Sequence, residues 1–280
     1  MNLSGAIDGI AVRAAAALPA EQGDYFNDDG LLCCHKCHTP KQCRINIFDK
    51  DRIVSCLCKC AAEARQAEEC ERERQKFIEQ CNRYRVAGFP ESSMQHWTFA
   101  NDDMSNPQLT KAMQNYVEHF EEFRKQGKGL LLYGSVGVGK TYAACEVANA
   151  LIDRGYPVLV TNFARLVNTL QGMFEGKQQY IDSLNKFSLL VIDDLGAERD
   201  NEYMQEQVWN IIDARYRAHM PMIITSNLSG SEIKNPADIN KARIYSRLLE
   251  RCHPVECLGG DKRKKALKRD YGKMRDILGI

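Results

Sequence analysis

The stretch Leu130-Leu131-Leu132-Tyr133-Gly134-Ser135-Val136-Gly137-Val138-Gly139-Lys140-Thr141 constrains this chain more than any other. An apolar run reads as a buried strand, a glycine-rich loop follows, and a helix opens at Gly139. Gly134, Gly139, Lys140 and Thr141 fill the four positions that a phosphate-binding P-loop fixes, and Gly137 is an additional glycine. Glycine lets the backbone turn its N–H groups inward on an anion, and the helix start adds the positive end of its dipole. Gly134, Ser135, Val136, Gly137, Val138 and Gly139 would cradle the phosphates. Lys140 would reach the β- and γ-phosphates, and the Thr141 hydroxyl would join a Mg²⁺ shell.

Around this loop, apolar runs of two periods alternate. Leu109, Met113, Val117 and Phe120 at helical spacing predict a helix over 106–125 leading into the loop strand. Beyond it we read a helix to about Arg154, ended by Gly155. Then come a strand over 158–160, a helix over 163–174, a strand over 189–192, a helix over 202–219, a strand over 222–225, a helix over 239–252 and a strand over 255–258. Such alternation predicts an α/β fold, a parallel sheet with helices on both faces and ligands beyond the carboxyl ends of its strands.

Two of those strand ends carry chemistry. The run Leu189-Leu190-Val191-Ile192 leads straight into Asp193-Asp194, and paired carboxylates there are costly unless a cation is held. Asp193 would hold the Mg²⁺, directly or through water, and Asp194 would orient the attacking water. Ile223-Ile224-Thr225-Ser226 similarly ends in Asn227, which can bridge a γ-phosphate and that water, although an Asn after a strand also serves as a turn residue.

The 280 residues leave room for a smaller appendage, and the formal charge of +1 makes any basic footprint local. No apolar run approaches the roughly 18 residues of a bilayer span, and no basic-then-apolar leader opens the chain, so we expect no membrane partner and a cytoplasmic location. Seven of the twelve cysteines fall between Cys33 and Cys60. Two close pairs some distance apart read as a tetrahedral metal site, for which we choose Cys34, Cys37, Cys58 and Cys60 with Zn²⁺. Cys56 can replace either of the last pair, and Cys33, His35, His38 and Cys43 are within reach; an iron–sulfur cluster or metal-free thiols also fit the pattern. Four thiolates leave no open position, so the ion would be structural. Residues 61–86, rich in Glu, Arg, Ala and Gln, read as an exposed helix laced with ion pairs. A short helix is also expected before Pro19. The expected organisation is a metal-binding domain over 1–60, a charged linker helix over 61–90 and a nucleotide-binding domain over 91–280.

The segments 134–141, 189–196, 223–227 and Arg243-Ile244-Tyr245-Ser246-Arg247-Leu248 resemble Walker A, Walker B, sensor 1 and box VII of AAA+ ATPases of the DnaC and DnaI helicase-loader group, which includes the IstB transposition helpers. The resemblance spans 88–270, and the cysteine-rich N-terminus more loosely resembles the zinc-binding, helicase-contacting region of DnaI-like loaders. It implies ATP as the nucleotide and ATP hydrolysis. Arg247 would be the arginine finger presented to a neighbouring copy's ATP, with Arg243 beside it, and Arg263 the sensor 2 arginine. Asp194 stands where many AAA+ proteins have Glu, and with little chain after Arg263 no separate helical lid is expected. The implied partners are a replicative hexameric DNA helicase, single-stranded DNA and further copies of the chain joined through their ATP sites. Arg165, Lys177, Phe174, Tyr180 and the basic run over 262–275 are candidates for DNA contact. The rival readings are an IstB-type ATPase acting on duplex DNA and, from another class, a P-loop small-molecule kinase.

Overall fold

The structure, a computed structural model, describes residues 20–280 other than 48, 197–201, 237, 263, 265, 266, 268–270, 272, 273, 276 and 280. The expected helix before Pro19 and the sensor candidate Arg263 lie outside the described residues. The chain divides into two units, Met1–Phe77 and Ile78–Ile280.

In the first unit two short antiparallel ribbons form, β1 (Tyr25–Phe26) with β2 (Leu32–Cys33) and β3 (Gln42–Ile47) with β4 (Lys50–Ser55). Among its described residues the buried apolar side chains are few: Leu32, Cys33, Cys34 and Cys58. The network that ties the ribbons together is polar. The Lys41 ammonium donates to Asp24 at 2.6 Å, and the backbone N–H and Nδ1 of His35 reach the other carboxylate oxygen at 3.2 Å. Helix α1 (Lys59–Gly88) follows, exposed along most of its length and carrying pairs such as Glu71 with Arg74 and Gln75.

In the second unit, two turns of tight helix (Ser92–His96 and Phe99–Asn101) precede α2 (Pro107–Glu118) and α3 (Phe120–Gln126). The single helix expected over 106–125 is therefore broken at His119. Asn106 caps α2 by accepting the Leu109 N–H, Pro107 sits in its first turn, and Gly127 closes α3 in the left-handed conformation. Then come β5 (Gly129–Tyr133), α4 (Lys140–Asp153), β6 (Val158–Asn162), α5 (Phe163–Gln171), α6 (Lys177–Ser183), β7 (Leu189–Leu195), α7 (Glu202–Arg217), β8 (Met222–Ser226), α8 (Gly230–Lys234), α9 (Ile239–Arg251) and β9 (Cys252–Glu256).

The five strands pair in parallel in the order β6-β7-β8-β5-β9. Alternate side chains of β5, β7 and β8 enter opposite cores, which is why these strands read as unbroken apolar runs. Leu130, Leu132, Leu189, Val191 and Ile223 pack with α2 and α4, whereas Leu131, Leu190, Ile192, Met222 and Ile224 pack with α5, α7 and α9. The last strand corrects the expectation of 255–258: it starts three residues earlier, with Cys252 opposite Gly129. His253 and Pro254 look like a turn in sequence, but β9 is an edge strand, where a residue without an N–H is tolerated.

One buried charge serves this fold. Arg215, 0% exposed, donates to the carbonyls of Leu184 and Phe187 at 3.2 and 2.9 Å and to that of Pro221. Burial pulls its guanidinium down to about 9. Arg215→Met would keep the bulk and strand those acceptors, so we expect a loss of about 3 kcal/mol in unfolding free energy. Denaturant melts check this; an unchanged midpoint would contradict it.

Candidate functional site

The loop after β5 folds tightly because its glycines leave no room for side chains. At Gly134 (φ +140°) a Cβ would stand 2.5 Å from the Cys257 carbonyl, and at Gly137 (φ +81°) 2.1 Å from an Asp261 carboxylate oxygen. Gly139, also in the left-handed region, delivers the chain into α4, whose first residue is Lys140. Val138 is buried under the loop and Val136 is exposed on it. The Lys140 ammonium, on a residue only 5% exposed, donates to the carbonyls of Gly134 and Ser135 at 2.9 and 2.8 Å and to Asn227 Oδ1 at 2.8 Å. Loop and β8 end are thereby held around one cation.

Thr141 Oγ1 lies 2.9 Å from Asp193 Oδ1, and Thr225 Oγ1 donates to the same oxygen at 2.5 Å. Burial pushes the Asp193 carboxyl up, against the opposing effect of those two hydroxyls and of Lys140. Two oxygens bound side by side to Mg²⁺ at about 2.1 Å are about 2.9 Å apart. The Thr141–Asp193 spacing therefore fits a Mg²⁺ ion held between the two side chains. Next to it, β7 shifts register between Ile192 and Leu195, and Asp194 takes a left-handed φ of +58°. The Asp194 N–H donates to Thr225 Oγ1 at 3.0 Å and its carboxylate accepts from Asn227 Nδ2 at 3.4 Å. A bulge of this kind aims a side chain away from the regular ladder, and Asp194 lines the cavity described next.

That cavity, about 420 Å³, runs from Lys140, Thr141, Asp194 and Asn227 to a second end that sequence reading missed. Trp97, stacked on Tyr142 at 5.5 Å, together with Asp102, Asp103 and Lys262, lines the far end. Asn149 staples the turn bearing Trp97 to α4 by donating to the carbonyls of Met94 and Trp97 at 3.0 and 2.9 Å. Lys262 crosses the loop, its N–H on the Gly137 carbonyl at 2.9 Å and its ammonium on Asp103 at 2.9 Å. These residues come from three separate segments, so no motif joins them in sequence.

Below Tyr142, Glu146 is 2% exposed and its Oε1 finds no hydrogen-bond partner. Burial, helped by the Asp102 and Asp103 charges and opposed by Lys262, raises its carboxyl from 4.5 to about 8. The folded chain thus keeps a proton there that the unfolded chain releases, so this group costs stability progressively as pH rises from about 4.5 to about 8. Glu146→Gln, neutral throughout, is expected to match the parent near pH 4.5 and to melt at higher temperature than the parent above about pH 8. Equal differences at both pH values would contradict the assignment.

Arg247 does not line the nucleotide cavity. It lies on α9, with its guanidinium over Tyr216 and Trp209 and 3.4 Å from Asp213, and Arg243 lies over Trp209. Of the candidates for DNA contact, Phe174 is fully exposed in the turn between α5 and α6, and Lys177 reaches over the Tyr203 ring.

In the first unit, the sulfurs of Cys34, Cys37, Cys58 and Cys60 all lie within 4.8 Å of one another. Cys60 is 3.6 Å from Cys34 and 3.4 Å from Cys58. A tetrahedron with Zn–S bonds of about 2.3 Å has edges of about 3.8 Å, so the cluster is compatible with zinc. The Thr39 hydroxyl pulls the Cys37 thiol down to about 5, and backbone N–H groups of Cys37 and Lys36 lower Cys34. Cys60, facing the other sulfurs, is pushed up to about 12. Thiolates confined together need a cation or a shared proton. Among the alternative ligands, His38 meets the Tyr25 hydroxyl and the Cys33 and Cys56 thiols meet the carbonyls of Leu31 and Pro40, whereas His35, paired with Asp24, forms with Asp24 and Cys34 a second group close enough to share an ion.

A parallel five-stranded sheet with a P-loop after one strand, paired carboxylates near the end of another and an asparagine after the strand between them defines an AAA+ P-loop protein. The sequence model of the IstB-like ATP-binding proteins matches residues 65–270, and the chain belongs to that family. The replicative helicase loader DnaI of Bacillus subtilis is 25% identical over 180 residues, which are 59% of this chain and 58% of DnaI. An insertion-sequence ATP-binding protein of Sinorhizobium fredii is 31% identical over 126 residues, 44% of this chain and 42% of that protein. The chain thus spans about half the length of these relatives. A crystal structure of DnaI superposes with a TM-score of 0.52 at 25% identity, covering 64% of this chain and 99% of that one. Among the described residues no helix is long and apolar enough to cross a membrane.

Proposed function

We propose that this protein is a cytoplasmic ATPase that loads a replicative DNA helicase onto single-stranded DNA. The observation that carries the reading is the thiol-lined first unit in front of an ATP-binding unit, since a dedicated second unit implies a dedicated partner. In this reading Cys34, Cys37, Cys58 and Cys60 hold a structural zinc, and that unit grips the hexameric helicase.

The ATP-binding unit works through its own residues. Backbone N–H groups over 134–139 and the Lys140 ammonium receive the β- and γ-phosphates, for which Lys140 exchanges its carbonyl partners. Thr141 and Asp193 would hold Mg²⁺, which would supply positive charge against those phosphates. Asp194 orients the attacking water, with Asn227 between water and γ-phosphate, and Arg263 serves as sensor 2. Arg247 of a second copy supplies the remaining positive charge, so self-association through the ATP sites precedes hydrolysis. Arg165, Lys177, Phe174 and Tyr180 face the single-stranded DNA, and hydrolysis releases the loader.

The insertion-sequence relative supports a second reading, an ATPase that assembles on duplex DNA and recruits a transposase. A small-molecule kinase is disfavoured because it has no use for an arginine outside its own cavity. The full chain, tagged and incubated with ATP in extract from its native source, is expected to recover a hexameric helicase. Recovery of a transposase without helicase would overturn the loader reading.

A further inference from the structure

Helices α7 and α9 pack along a ladder of alternating rings and cations. Trp209, Asp213 and Tyr216 recur at spacings of four and three on α7, and Arg243, Arg247 and Arg251 at spacings of four on α9, so each set lies on one helix face. The guanidinium of Arg243 lies 4.8 Å from the Trp209 ring, that of Arg247 lies 5.2 Å from Trp209 and 4.2 Å from Tyr216, and that of Arg251 lies 4.6 Å from Tyr216. The Tyr216 hydroxyl donates to Glu250 at 2.6 Å.

Stacking of this kind often does no more than cover a seam between helices. Arg247 is held differently from its neighbours on the ladder. Two rings and a carboxylate grip it together, yet its side chain remains 31% exposed. The carboxylate is shared: Asp213 takes Arg217 Nε at 2.7 Å on one oxygen and stands 3.4 Å from Arg247 on the other. Arg217 thus draws off part of the Asp213 charge, and the longer contact to Arg247 leaves that guanidinium able to meet an incoming oxyanion.

A loose arginine loses rotamer freedom when it engages a charge, and one already gripped has less to lose. A planar guanidinium on a ring face is also attracted by the ring quadrupole, which fixes its tilt as well as its place. We infer that Trp209, Asp213 and Tyr216 are the positioning residues of Arg247, holding it ready for the phosphoryl group bound to a second copy of the chain. This rests on the reading of Arg247 as an arginine acting in trans.

The test is ATP hydrolysis by the full chain over a range of chain concentrations. Tyr216→Leu removes the ring and keeps an apolar side chain; kcat should fall about ten-fold with KM for ATP unchanged. Tyr216→Phe restores the ring and should restore kcat. Asp213→Asn, which keeps the shape, should lower kcat in the same way and serves if Tyr216→Leu melts early. Combined with Arg247→Ala, Tyr216→Leu should cost nothing further, because the ring acts through that arginine. Full activity of both Tyr216→Leu and Asp213→Asn, or losses that multiply with Arg247→Ala, would overturn the inference. If Arg247→Ala itself hydrolyses ATP at the parent rate, the trans reading falls; if it is inactive while the positioning variants are not, the inference alone falls.

Discussion

Arg247→Ala is expected to lower kcat for ATP hydrolysis by about 10³-fold, the magnitude attached to an arginine supplied in trans, and to leave the Kd for ATP unchanged within about two-fold. The expectation follows from place. The phosphate end of the cavity is lined by Lys140, Thr141, Asp194 and Asn227, and Arg247 is absent from that lining. An arginine that touches no nucleotide of its own subunit contributes nothing to ground-state binding there. In the proposed reading it acts only where charge spreads over the transferred phosphoryl group of another subunit, so its loss appears in kcat and not in affinity. Equilibrium titration with a fluorescent ATP analogue and phosphate-release kinetics separate the two quantities. Equal losses in both would show that the residue serves its own subunit.

The second large effect concerns the cysteine unit. Among its described residues the buried apolar core is Leu32 and Cys33, with the ligand cysteines Cys34 and Cys58 beside them. At roughly 1.5–3 kcal/mol per large buried side chain, that core falls well short of ordering costs of about 1–2 kcal/mol for each backbone residue. A tetrathiolate zinc site contributes about 10–16 kcal/mol, enough to decide whether the unit folds. The purified chain should carry about one zinc per molecule, the capacity of one four-ligand site. Stripping it at neutral pH should abolish hydrogen-exchange protection across β3 and β4 while ATP affinity persists. Retained protection in metal-free protein would remove the zinc assignment.

The sequence showed most where one residue type meets one physical need. The loop over 134–141 was legible because its glycines face backbone and carboxylate where a Cβ has no room. The parallel sheet was legible because both faces of β5, β7 and β8 are buried, which leaves no polar alternation to confuse. The edge strand β9 was misjudged by three residues, since its outer side is unpaired and tolerates His253 and Pro254. The break at His119 left no signal, because Met113, Tyr116, Val117 and Phe120 keep helical spacing across it and share one core. The cavity end at Trp97, Tyr142, Asp102 and Lys262 was invisible because only the fold unites those segments. The burial of Arg215 and Glu146 left no signal in the sequence, because it depends on neighbours far along the chain.

The most direct measurement of the central claim, that each ATP site is finished by a second copy, mixes two inactive chains. Lys140→Ala loses the phosphate-binding ammonium and keeps Arg247; Arg247→Ala keeps the nucleotide site and loses the arginine. Phosphate release by each chain alone and by their mixture is followed at concentrations that support assembly. Activity reappearing in the mixture, and fading on dilution, is the predicted result. A mixture as inactive as its parents, or a parent chain whose rate per molecule is indifferent to dilution, would contradict it.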